Sequence, residues 1–391
     1  MQCDHFSQNK CRSCAWLDRG YADQLIAKTA DLRVQLEAHH PQEWLPAVAS
    51  PQIGFRNKAK MVVLGTQGAP ILGIVNHQGE VVSLCDCPLY PADMQALLQH
   101  LQDWIQQVGL QPYQVDKRAG ELKFILLTRS QFSGEYLMRL VLRSEQPLAH
   151  IRQCLPQLLA DHPNVSVVSV NIQPVHMAIL EGEKEIFLTP RTSLSETLNG
   201  VPLYIRPKSF FQTNPVVAAE LYATARKWTA EIRPKSLLDL YCGVGGFGLH
   251  CATSERSMTG IEIAPEAIAC AQQSAREMGL DNVNLIVSDL KAFATMQTAS
   301  PDLIILNPPR RGVGGTLCAQ LLDMAPQHIL YSSCNAQTLA QDLSQLRGYQ
   351  LARVQLFDMF PHTPHYEVLT MLTRLGHTEN QCMNDAKAVA E

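Results

Sequence analysis

Cys334 lies in the run Tyr-Ser-Ser-Cys-Asn at residues 331–335, directly after an apolar segment that predicts a buried strand. Earlier, residues 239–248 (Asp-Leu-Tyr-Cys-Gly-Val-Gly-Gly-Phe-Gly) predict a strand that leads into a glycine-rich loop. A thiolate is a strong nucleophile, and a glycine-rich loop lets backbone N–H groups approach a nucleotide-like ligand. Together the two features indicate group transfer through a covalent cysteine adduct.

The elements that must position these residues alternate regularly from Ser236 onwards. Strands are expected at 236–241, 258–263, 283–287, 303–306 and 329–333, with helices starting near Gly246, Pro265, Leu290, Gly314 and Ala336. This alternation is typical of an α/β domain with a doubly wound, Rossmann-like parallel sheet. A helix at 215–232 precedes the sheet, and runs at 350–357 and 366–372 predict a closing hairpin.

The first 200 residues lack this rhythm and predict an α+β domain built on antiparallel sheet. Helices are expected at 21–37, with an apolar stripe of Leu25, Ala30, Leu32 and Leu36, and at 91–108. Strands are expected at 60–64, 71–76, 124–128, 136–141, 165–173 and 186–189. We therefore divide the chain into domains at 1–200 and 201–375, followed by a polar tail at 376–391.

The composition is that of a globular enzyme. The 391 residues are 46% hydrophobic and 17% charged, and the net charge is -4. Two or three domains are expected at this length. There is no signal peptide and no apolar run of membrane-spanning length, so we expect a cytoplasmic monomer without membrane contact. Any nucleic-acid binding must come from local basic patches, because the overall charge is acidic.

Carboxylates follow the predicted strands at the edge where the glycine loop lies. Asp239 can accept a hydrogen bond from an ammonium group, and Glu262 can accept hydrogen bonds from both hydroxyls of a ribose. Asp289 follows the third strand, at a place where the edge of an adenine ring is often recognised. With the loop at Gly243, this set suits S-adenosyl-L-methionine, which has no phosphates. The glycine spacing Gly-x-Gly-Gly-x-Gly disfavours a nicotinamide dehydrogenase. A simple tight turn is the structural alternative.

Asn307 begins the run Asn-Pro-Pro-Arg-Arg-Gly at residues 307–312, after the fourth strand. Asn-Pro-Pro after the fourth strand resembles a motif of the amino-methyltransferases. In those enzymes the motif holds the exocyclic nitrogen of the base that is methylated. Those enzymes usually follow it with an aromatic residue, whereas this chain has Arg310. A proline-stiffened loop is the other interpretation.

Methylation at carbon 5 of a pyrimidine would use both the thiol and a base. Thiolate addition at carbon 6 makes carbon 5 nucleophilic, and a base then removes the carbon 5 proton. Glu367 is the base candidate, with His362 and His365 as rivals. Cys251, Cys270 and Cys318 lie on predicted helix faces, where buried inert thiols are expected.

Cys3, Cys11 and Cys14 form a group of metal ligands that lacks a fourth member, and Cys87 can supply it. Four thiolates suit zinc or an iron–sulfur cluster. The proline after Cys87 favours a 4Fe-4S cluster. A zinc site that includes His5, or a redox pair of Cys11 and Cys14, remains open.

Several motifs together resemble the RNA uracil-C5 methyltransferases, over nearly the whole chain. They are Ser-Phe-Phe-Gln-Thr-Asn at 209–214, the glycine loop at 239–248, Asn-Pro-Pro-Arg-Arg-Gly at 307–312, Ser-Cys-Asn at 333–335 and His-Tyr-Glu at 365–367. The resemblance implies cofactor contacts at Gln212, Tyr241, Glu262 and Asn307, a nucleophile at Cys334 and a base at Glu367. It also implies a 4Fe-4S cluster on Cys3, Cys11, Cys14 and Cys87.

Two residues depart from the family pattern. Asn307 stands where much of the family has aspartate, and Ala336 stands where proline commonly follows Ser-Cys-Asn. Neither removes the mechanism.

Within the family, the tRNA branch lacks the cysteine group, and one ribosomal branch carries an additional RNA-binding barrel before it, which we do not expect here because Cys3 stands almost at the first residue. The resemblance that is left implies uridine 747 of 23S ribosomal RNA as the target. A stacked base is inaccessible, so we expect the nucleotide to be flipped into the pocket. Candidate RNA contacts are Arg56, Lys58, Lys60 and Arg310, and Arg206, Lys208 and Arg311 are expected to add positive charge near the catalytic half. Each can equally be a solvated surface charge. The alternative to an enzyme is an RNA-binding module with a structural metal.

Overall fold

A computed structural model of the chain describes residues 1–176, 179–289 and 300–376. It divides into two units, each assembled from separate stretches. One comprises residues 1–17, 51–198 and 204–215, and the other comprises 18–50, 199–203 and the chain from 216 onwards. Residues 18–50 thus pack with the second unit, although they precede the sequence-based domain boundary near residue 200. The helix expected near Leu290 and most of the expected tail lie outside the described residues.

The helices, in chain order, are α1 (Asp4–Ser7), α2 (Tyr21–Leu36), α3 (Ala92–Val108), α4 (Leu148–Asp161), α5 (Pro215–Ile232), α6 (Gly246–Cys251), α7 (Pro265–Glu277), α8 (Gly314–Met324) and α9 (Ala336–Gln345). None of these described helices combines the length and the apolar character that crossing a membrane requires.

The strands, in chain order, are β1 (Glu43–Trp44), β2 (Lys58–Thr66), β3 (Ala69–Val75), β4 (Val81–Ser83), β5 (Leu122–Arg129), β6 (Tyr136–Leu142), β7 (Val165–Ile172), β8 (Lys184–Phe187), β9 (Leu194–Leu198), β10 (Val201–Ile205), β11 (Ser236–Leu240), β12 (Ser257–Glu262), β13 (Val283–Val287), β14 (Leu303–Leu306), β15 (His328–Ser333), β16 (Tyr349–Phe357) and β17 (Glu367–Arg374).

The first unit contains a sheet in the order β4-β3-β2-β5-β6-β7-β8. Its neighbours are antiparallel, as expected, except that β6 and β7 run parallel. The purely antiparallel prediction is wrong at this point because it missed α4. A parallel pair needs a long crossover, and α4 provides it. The buried side chains of α4 include Leu148, Ile151, Leu155 and Leu158, so an apolar helical pattern was present despite Pro156 inside the helix.

The second unit contains a sheet in the order β1-β16-β17-β15-β14-β11-β12-β13. Strands β11 to β15 are mutually parallel, and β16 and β17 form an antiparallel hairpin against β15. The alternating strands and the closing hairpin expected from the sequence are confirmed. The parallel strands β14 and β15 are almost completely buried, as is typical of a sheet covered on both faces. Their carboxyl ends carry the candidate site residues.

Helix α2 has the predicted bounds within one residue, and it buries Leu32 and Leu36 of the expected stripe, but the first half of its buried face is polar. The buried side chains are Gln24, Lys28, Leu32 and Leu36, whereas Ala30 is exposed. The polar half of this face meets the loop between β16 and β17. Lys28 Nζ lies 2.6 Å from Asp358 Oδ1, and both side chains are inaccessible to solvent. The spacing of apolar residues cannot predict this buried face, because its polar side chains pair with residues far along the chain.

Candidate active site

The glycine-rich loop after β11 is closely packed around Asp239. This carboxylate is buried, and its Oδ2 accepts a 2.8 Å hydrogen bond from the backbone N–H of Gly248. A side chain at Gly248 would place its Cβ 2.1 Å from Met258 Cε and 2.7 Å from Asp239 Oδ2. Burial raises the pKa of Asp239 to about 8, although the Gly248 hydrogen bond opposes the rise. Asp239 thus fixes the start of α6 from beneath the loop.

Glu262, at the end of β12, holds the same loop from the other side. Its Oε2 accepts from the N–H of Gly243 at 3.2 Å, and its Oε1 accepts from the N–H of Ala264 at 3.0 Å. Because Gly243 has φ +54°, it adopts the left-handed conformation that glycine tolerates best. The carboxylate remains partly exposed, so it has lone pairs available to a ligand hydroxyl.

The other residues expected at the cofactor differ in exposure. Tyr241 is half-buried and has φ +65°, which is strained for a residue that is not glycine. Asp289 is exposed after β13. Asn307 is half-buried directly after β14. Gln212 belongs to the first unit and is buried there.

Cys334 directly follows β15 and is half-buried. The register pairs Ser333 with Val368 of β17, and one further step along both strands brings Cys334 opposite Glu367. The next residue, Asn335, caps helix α9 by accepting a hydrogen bond from Gln337 N–H. Its Nδ2 donates to the carbonyl of Arg310 at 3.2 Å, which ties the Cys334 loop to the loop after β14.

Glu367 begins β17 and is only 2% exposed. Its Oε1 accepts a short hydrogen bond from Ser332 Oγ and a 3.3 Å hydrogen bond from Asn307 Nδ2. Burial raises the pKa of Glu367 to about 7, and these two donors oppose that rise. A carboxyl group with this pKa is suited to proton transfer near neutral pH.

The thiol of Cys334 has a raised pKa. Burial is the main cause and the charge of Glu367 adds to it, whereas the guanidinium of Arg310 lowers it. Nη2 of Arg310 also lies 3.2 Å from Nδ1 of His365. His365 is exposed, and burial, Arg310 and Lys28 lower its pKa. His362 is buried beside α2, where its backbone N–H donates to Gln24 Oε1 at 2.8 Å.

Asp342 of α9 fixes the loop that carries Arg310, and the sequence analysis missed it. Its carboxylate accepts from the N–H groups of Val313 and Gly314 at 2.9 and 3.1 Å and from Tyr331 Oη at 2.7 Å. In the sequence, Asp342 stands three residues after Leu339 and next to Leu343, at the spacing of an apolar helix face, and this pattern does not identify its partners.

The four candidate cluster ligands, Cys3, Cys11, Cys14 and Cys87, all lie in the first unit and are partly exposed. The pKa of Cys14 is raised to about 12 by burial and by Cys87, Cys11 and Cys3, so these thiols lie within electrostatic range of one another. Among the described residues, however, no three His, Cys, Asp or Glu side chains are grouped as ligands of a metal ion. His5 instead contacts Asp86 at 2.7 Å.

The basic residues expected to contact RNA do not form a uniform patch. Lys60 is exposed and lies over the ring of Phe124, whereas Lys58 is half-buried and its pKa is lowered by burial. Arg56 donates to the carbonyl of Lys58 at 3.1 Å. Arg310 is exposed next to the Cys334 loop.

Comparison with known proteins identifies the family. A family model described as tRNA (Uracil-5-)-methyltransferase matches residues 203–375. The 23S rRNA (uracil(747)-C(5))-methyltransferase RlmC of Shewanella loihica is 60% identical over 378 residues, which cover 96% of this chain and all of that protein. The chain belongs to the uracil-C5 methyltransferase family. RlmC of Shewanella oneidensis is similarly close, with 59% identity over 96% of this chain and 98% of that protein.

A solved structure of the family has the same fold. It is the tRNA (uracil-54, C5)-methyltransferase of Pyrococcus abyssi in complex with S-adenosyl-L-homocysteine. The two chains superpose with a TM-score of 0.78 at 25% identity, over 92% of this chain and 85% of that one. The α/β methyltransferase fold expected from the sequence is therefore confirmed.

Proposed function

We propose that this chain transfers a methyl group from S-adenosyl-L-methionine to carbon 5 of uridine 747 in 23S ribosomal RNA. The target is the one named for RlmC of Shewanella loihica. The Pyrococcus abyssi enzyme is in complex with S-adenosyl-L-homocysteine, which is what S-adenosyl-L-methionine becomes once its methyl group is transferred. The observation that carries the proposal is the placement of a thiol, Cys334, opposite a buried carboxylate, Glu367, at the ends of β15 and β17. Carbon 5 methylation needs both groups, whereas methylation of an exocyclic nitrogen does not need the thiol.

Cys334 acts as the nucleophile in this proposal. Its thiol, which is partly exposed, gives its proton to water, and Sγ forms a bond to carbon 6 of the uracil. The electron pair of the carbon 5–carbon 6 double bond moves into an enolate, so carbon 5 becomes nucleophilic. Arg310 favours the thiolate, because its positive charge lowers the thiol pKa.

Glu367 acts as the proton acceptor. S-adenosyl-L-methionine supplies the methyl group from its sulfonium, after which carbon 5 carries both the methyl group and its original proton. Glu367 takes that proton, the carbon 5–carbon 6 double bond re-forms, and the bond from carbon 6 to Sγ breaks to release the thiolate. A pKa of about 7 leaves much of this carboxylate ionised and able to accept a proton at neutral pH.

The methyl donor is proposed to bind at the carboxyl ends of β11, β12 and β14. Glu262 is suited to the ribose hydroxyls because its carboxylate is partly exposed at the rim of the glycine loop. Tyr241, Gly243, Asn307, Asp289 and Gln212 are the further proposed contacts. For Asp239, burial and the bond to Gly248 support a role beneath the loop in place of direct contact with the donor's ammonium group.

Cys3, Cys11, Cys14 and Cys87 are proposed to hold a 4Fe-4S cluster, which would organise the first unit for RNA binding. Their mutual electrostatic influence supports a shared site. Four cysteine thiolates are the ligands that such a cluster would take. No step of the methyl transfer requires electrons from it.

The cluster is tested by iron and sulfide analysis of anaerobically purified protein. Cys14→Ser is expected to lose iron, whereas Cys85→Ser is the matched control. Cys85 lies two residues from Cys87, but its buried thiol faces Leu72 O and Gln102 Oε1. Zinc without iron in the wild-type protein would exclude the cluster.

RNA contacts are proposed for Arg310 and for the exposed Lys60, with Arg56 and Lys58 in secondary roles. The first unit would carry the cluster and part of the RNA surface, and the second the methyl transfer, in the cytoplasm. The activity is tested with a 23S RNA fragment, S-adenosyl-L-methionine and nucleoside mass spectrometry. We expect 5-methyluridine at position 747 and none with Cys334→Ala. A methyl group on nitrogen would refute the proposal.

A further inference from the structure

Ser332, Asn307 and Glu367 lie on one face of the sheet, on three neighbouring strands. Leu306 pairs with Tyr331, so the next residues, Asn307 and Ser332, lie side by side at the carboxyl ends of β14 and β15. Ser332 pairs with Leu369 of β17. Because side chains alternate along a strand, Glu367 lies on the same face as Leu369 and Ser332.

The three side chains on this face are connected by hydrogen bonds. Asn307 Nδ2 donates both to the carbonyl of Ser332 and to Glu367 Oε1, each at 3.3 Å. Ser332 Oγ donates to the same oxygen, Oε1. Ser332 is completely buried and Glu367 nearly so, so water competes little for these bonds.

We propose that Ser332 and Asn307 are positioning residues that hold Glu367 ionised and direct its uptake of the carbon 5 proton to Oε2. This inference rests on the proposed role of Glu367. Both donors bind Oε1, so the lone pairs of Oε2 remain for the proton. Two donors also stabilise the negative charge of a carboxylate that burial would otherwise neutralise.

The residue types fit this role. An aspartate at position 307 would have no N–H to donate and would bring a second negative charge beside Glu367. An apolar residue at position 332 would leave a buried carboxylate with one donor fewer, which is costly. The amide of Asn307 and the hydroxyl of Ser332 therefore act as one unit.

Other titratable groups near Glu367 are few among the described residues. Cys334 faces it from the end of β15, and Tyr222 faces it from α5. The pKa of Tyr222 is raised by burial, by Glu367 and by Asp239, so that phenol stays neutral. Arg310 lowers the pKa of the Cys334 thiol. This effect must be separated from the effect of Ser332 on the pKa of Glu367.

The test is the pH dependence of adduct release in single-turnover reactions of Ser332→Ala. Loss of one hydrogen bond to a charged group is expected to raise the pKa of Glu367 by about one unit. Release should then be about tenfold slower than wild type on the acidic limb and equal to it at high pH. Ser332→Thr, which keeps the hydroxyl, should restore the wild-type profile.

Thr370→Val is the matched control. Thr370 is a buried hydroxyl residue of β17 that pairs with Tyr331, and it donates to the carbonyl of Tyr331 on the opposite face. It should keep the wild-type pH profile. A Ser332→Ala profile that superposes on that of Thr370→Val would overturn the proposal.

Infrared difference spectra of the Glu367 carboxyl band provide a second reading without RNA or methyl donor. Each spectrum is referenced to the same protein with Glu367→Gln. Asn307→Asp should raise the pKa of Glu367, and an unchanged titration would overturn the proposal even if Ser332→Ala does not fold. Since this reading needs no turnover, it separates failure of the positioning role from failure of the proposed activity.

Discussion

Cys334 and Glu367 lie opposite each other at the ends of two antiparallel strands, and the charge of Glu367 influences the ionisation of the Cys334 thiol. The register of β15 and β17 sets this relationship. The negative charge of Glu367 raises the pKa of the Cys334 thiol, and Arg310 lowers it. A base that is ready to accept a proton thus disfavours the thiolate, so the charge of Arg310 is needed beside the thiol.

Alkylation of Cys334 measures this coupling directly. Glu367→Gln removes the negative charge, so we expect the pKa of Cys334 to fall and its carboxymethylation at neutral pH to accelerate several-fold. Arg310→Met should have the opposite effect. The rate is followed by mass spectrometry of the peptide that contains Cys334.

Arg311→Met is the control for these two variants. Arg311 is an exposed neighbour of Arg310 whose charge acts on Tyr241. Its loss should leave the alkylation profile of Cys334 unchanged. Equal effects of the two arginine variants would contradict a specific role for Arg310.

Burial of Glu367 also makes stability depend on pH. The folded pKa of about 7 lies above the ordinary value of 4.5. The favourable contribution of the protonated group is therefore complete below about 4.5 and is lost as the pH rises through 7. Glu367→Gln stays neutral, so its stability relative to wild type should increase by about 2 kcal/mol between pH 5.5 and pH 8.

Urea denaturation at the two pH values checks this expectation. Glu37→Gln, at an exposed position after α2, should show no such pH-dependent gain. If Glu367→Gln had the same stability relative to wild type at both pH values, the raised pKa of Glu367 would be refuted.

The methyltransferase sheet and its edge could be predicted from the sequence because the strand pattern is local. Apolar runs such as 303–306 and 329–331 are short, and each is followed by a polar residue, Asn307 or Ser332. The carboxyl ends of parallel strands share one edge, so Asp239, Glu262, Asn307 and Cys334 could be placed there without coordinates.

The contacts of Ser332 and of α2 could not be predicted, because they depend on register and on distant partners. A one-residue slip of β17 against β15 would move Glu367 to the other face of the sheet. Lys28 and Asp358 are separated by 330 positions, and no local pattern links them. Helix α4 is a different case, since its apolar spacing was present and was overlooked.

The buried pair of Lys28 and Asp358 supports the loop that leads to Glu367. Lys28 Nζ also donates to the carbonyl of Phe360 at 3.0 Å, and Tyr21 Oη donates to Asp358 Oδ2 at 2.7 Å. Lys28→Met leaves a buried carboxylate without its cation and should destabilise the protein by about 3–5 kcal/mol. Thermal denaturation measures the loss.

The double variant Lys28→Met with Asp358→Leu is the comparison. It removes both charges and should recover a substantial part of the stability, because no unpaired charge stays buried. A double variant that is as unstable as the sum of the single variants would contradict the pairing.

Gly248 has no space for a side chain. Gly248→Ala would force Cβ against Met258 and the Asp239 carboxylate. We expect a loss of stability of about 1–3 kcal/mol and weaker binding of S-adenosyl-L-methionine, measured by denaturation and calorimetry. Gly68→Ala is the control, since nothing lies within 4 Å of its added Cβ. Wild-type methyl-donor affinity in Gly248→Ala would contradict the proposed role of this loop.

The covalent mechanism is tested most directly by incubating Glu367→Gln with the 23S RNA fragment and S-adenosyl-L-methionine. Cys334 should still add to carbon 6 and the methyl group should still be transferred, but without the base the carbon 5 proton stays in place. We therefore predict that a methylated RNA accumulates on the Cys334 peptide, detected by mass spectrometry after nuclease and protease digestion. Release of free 5-methyluridine at the wild-type rate, with no Cys334 adduct, would contradict the mechanism.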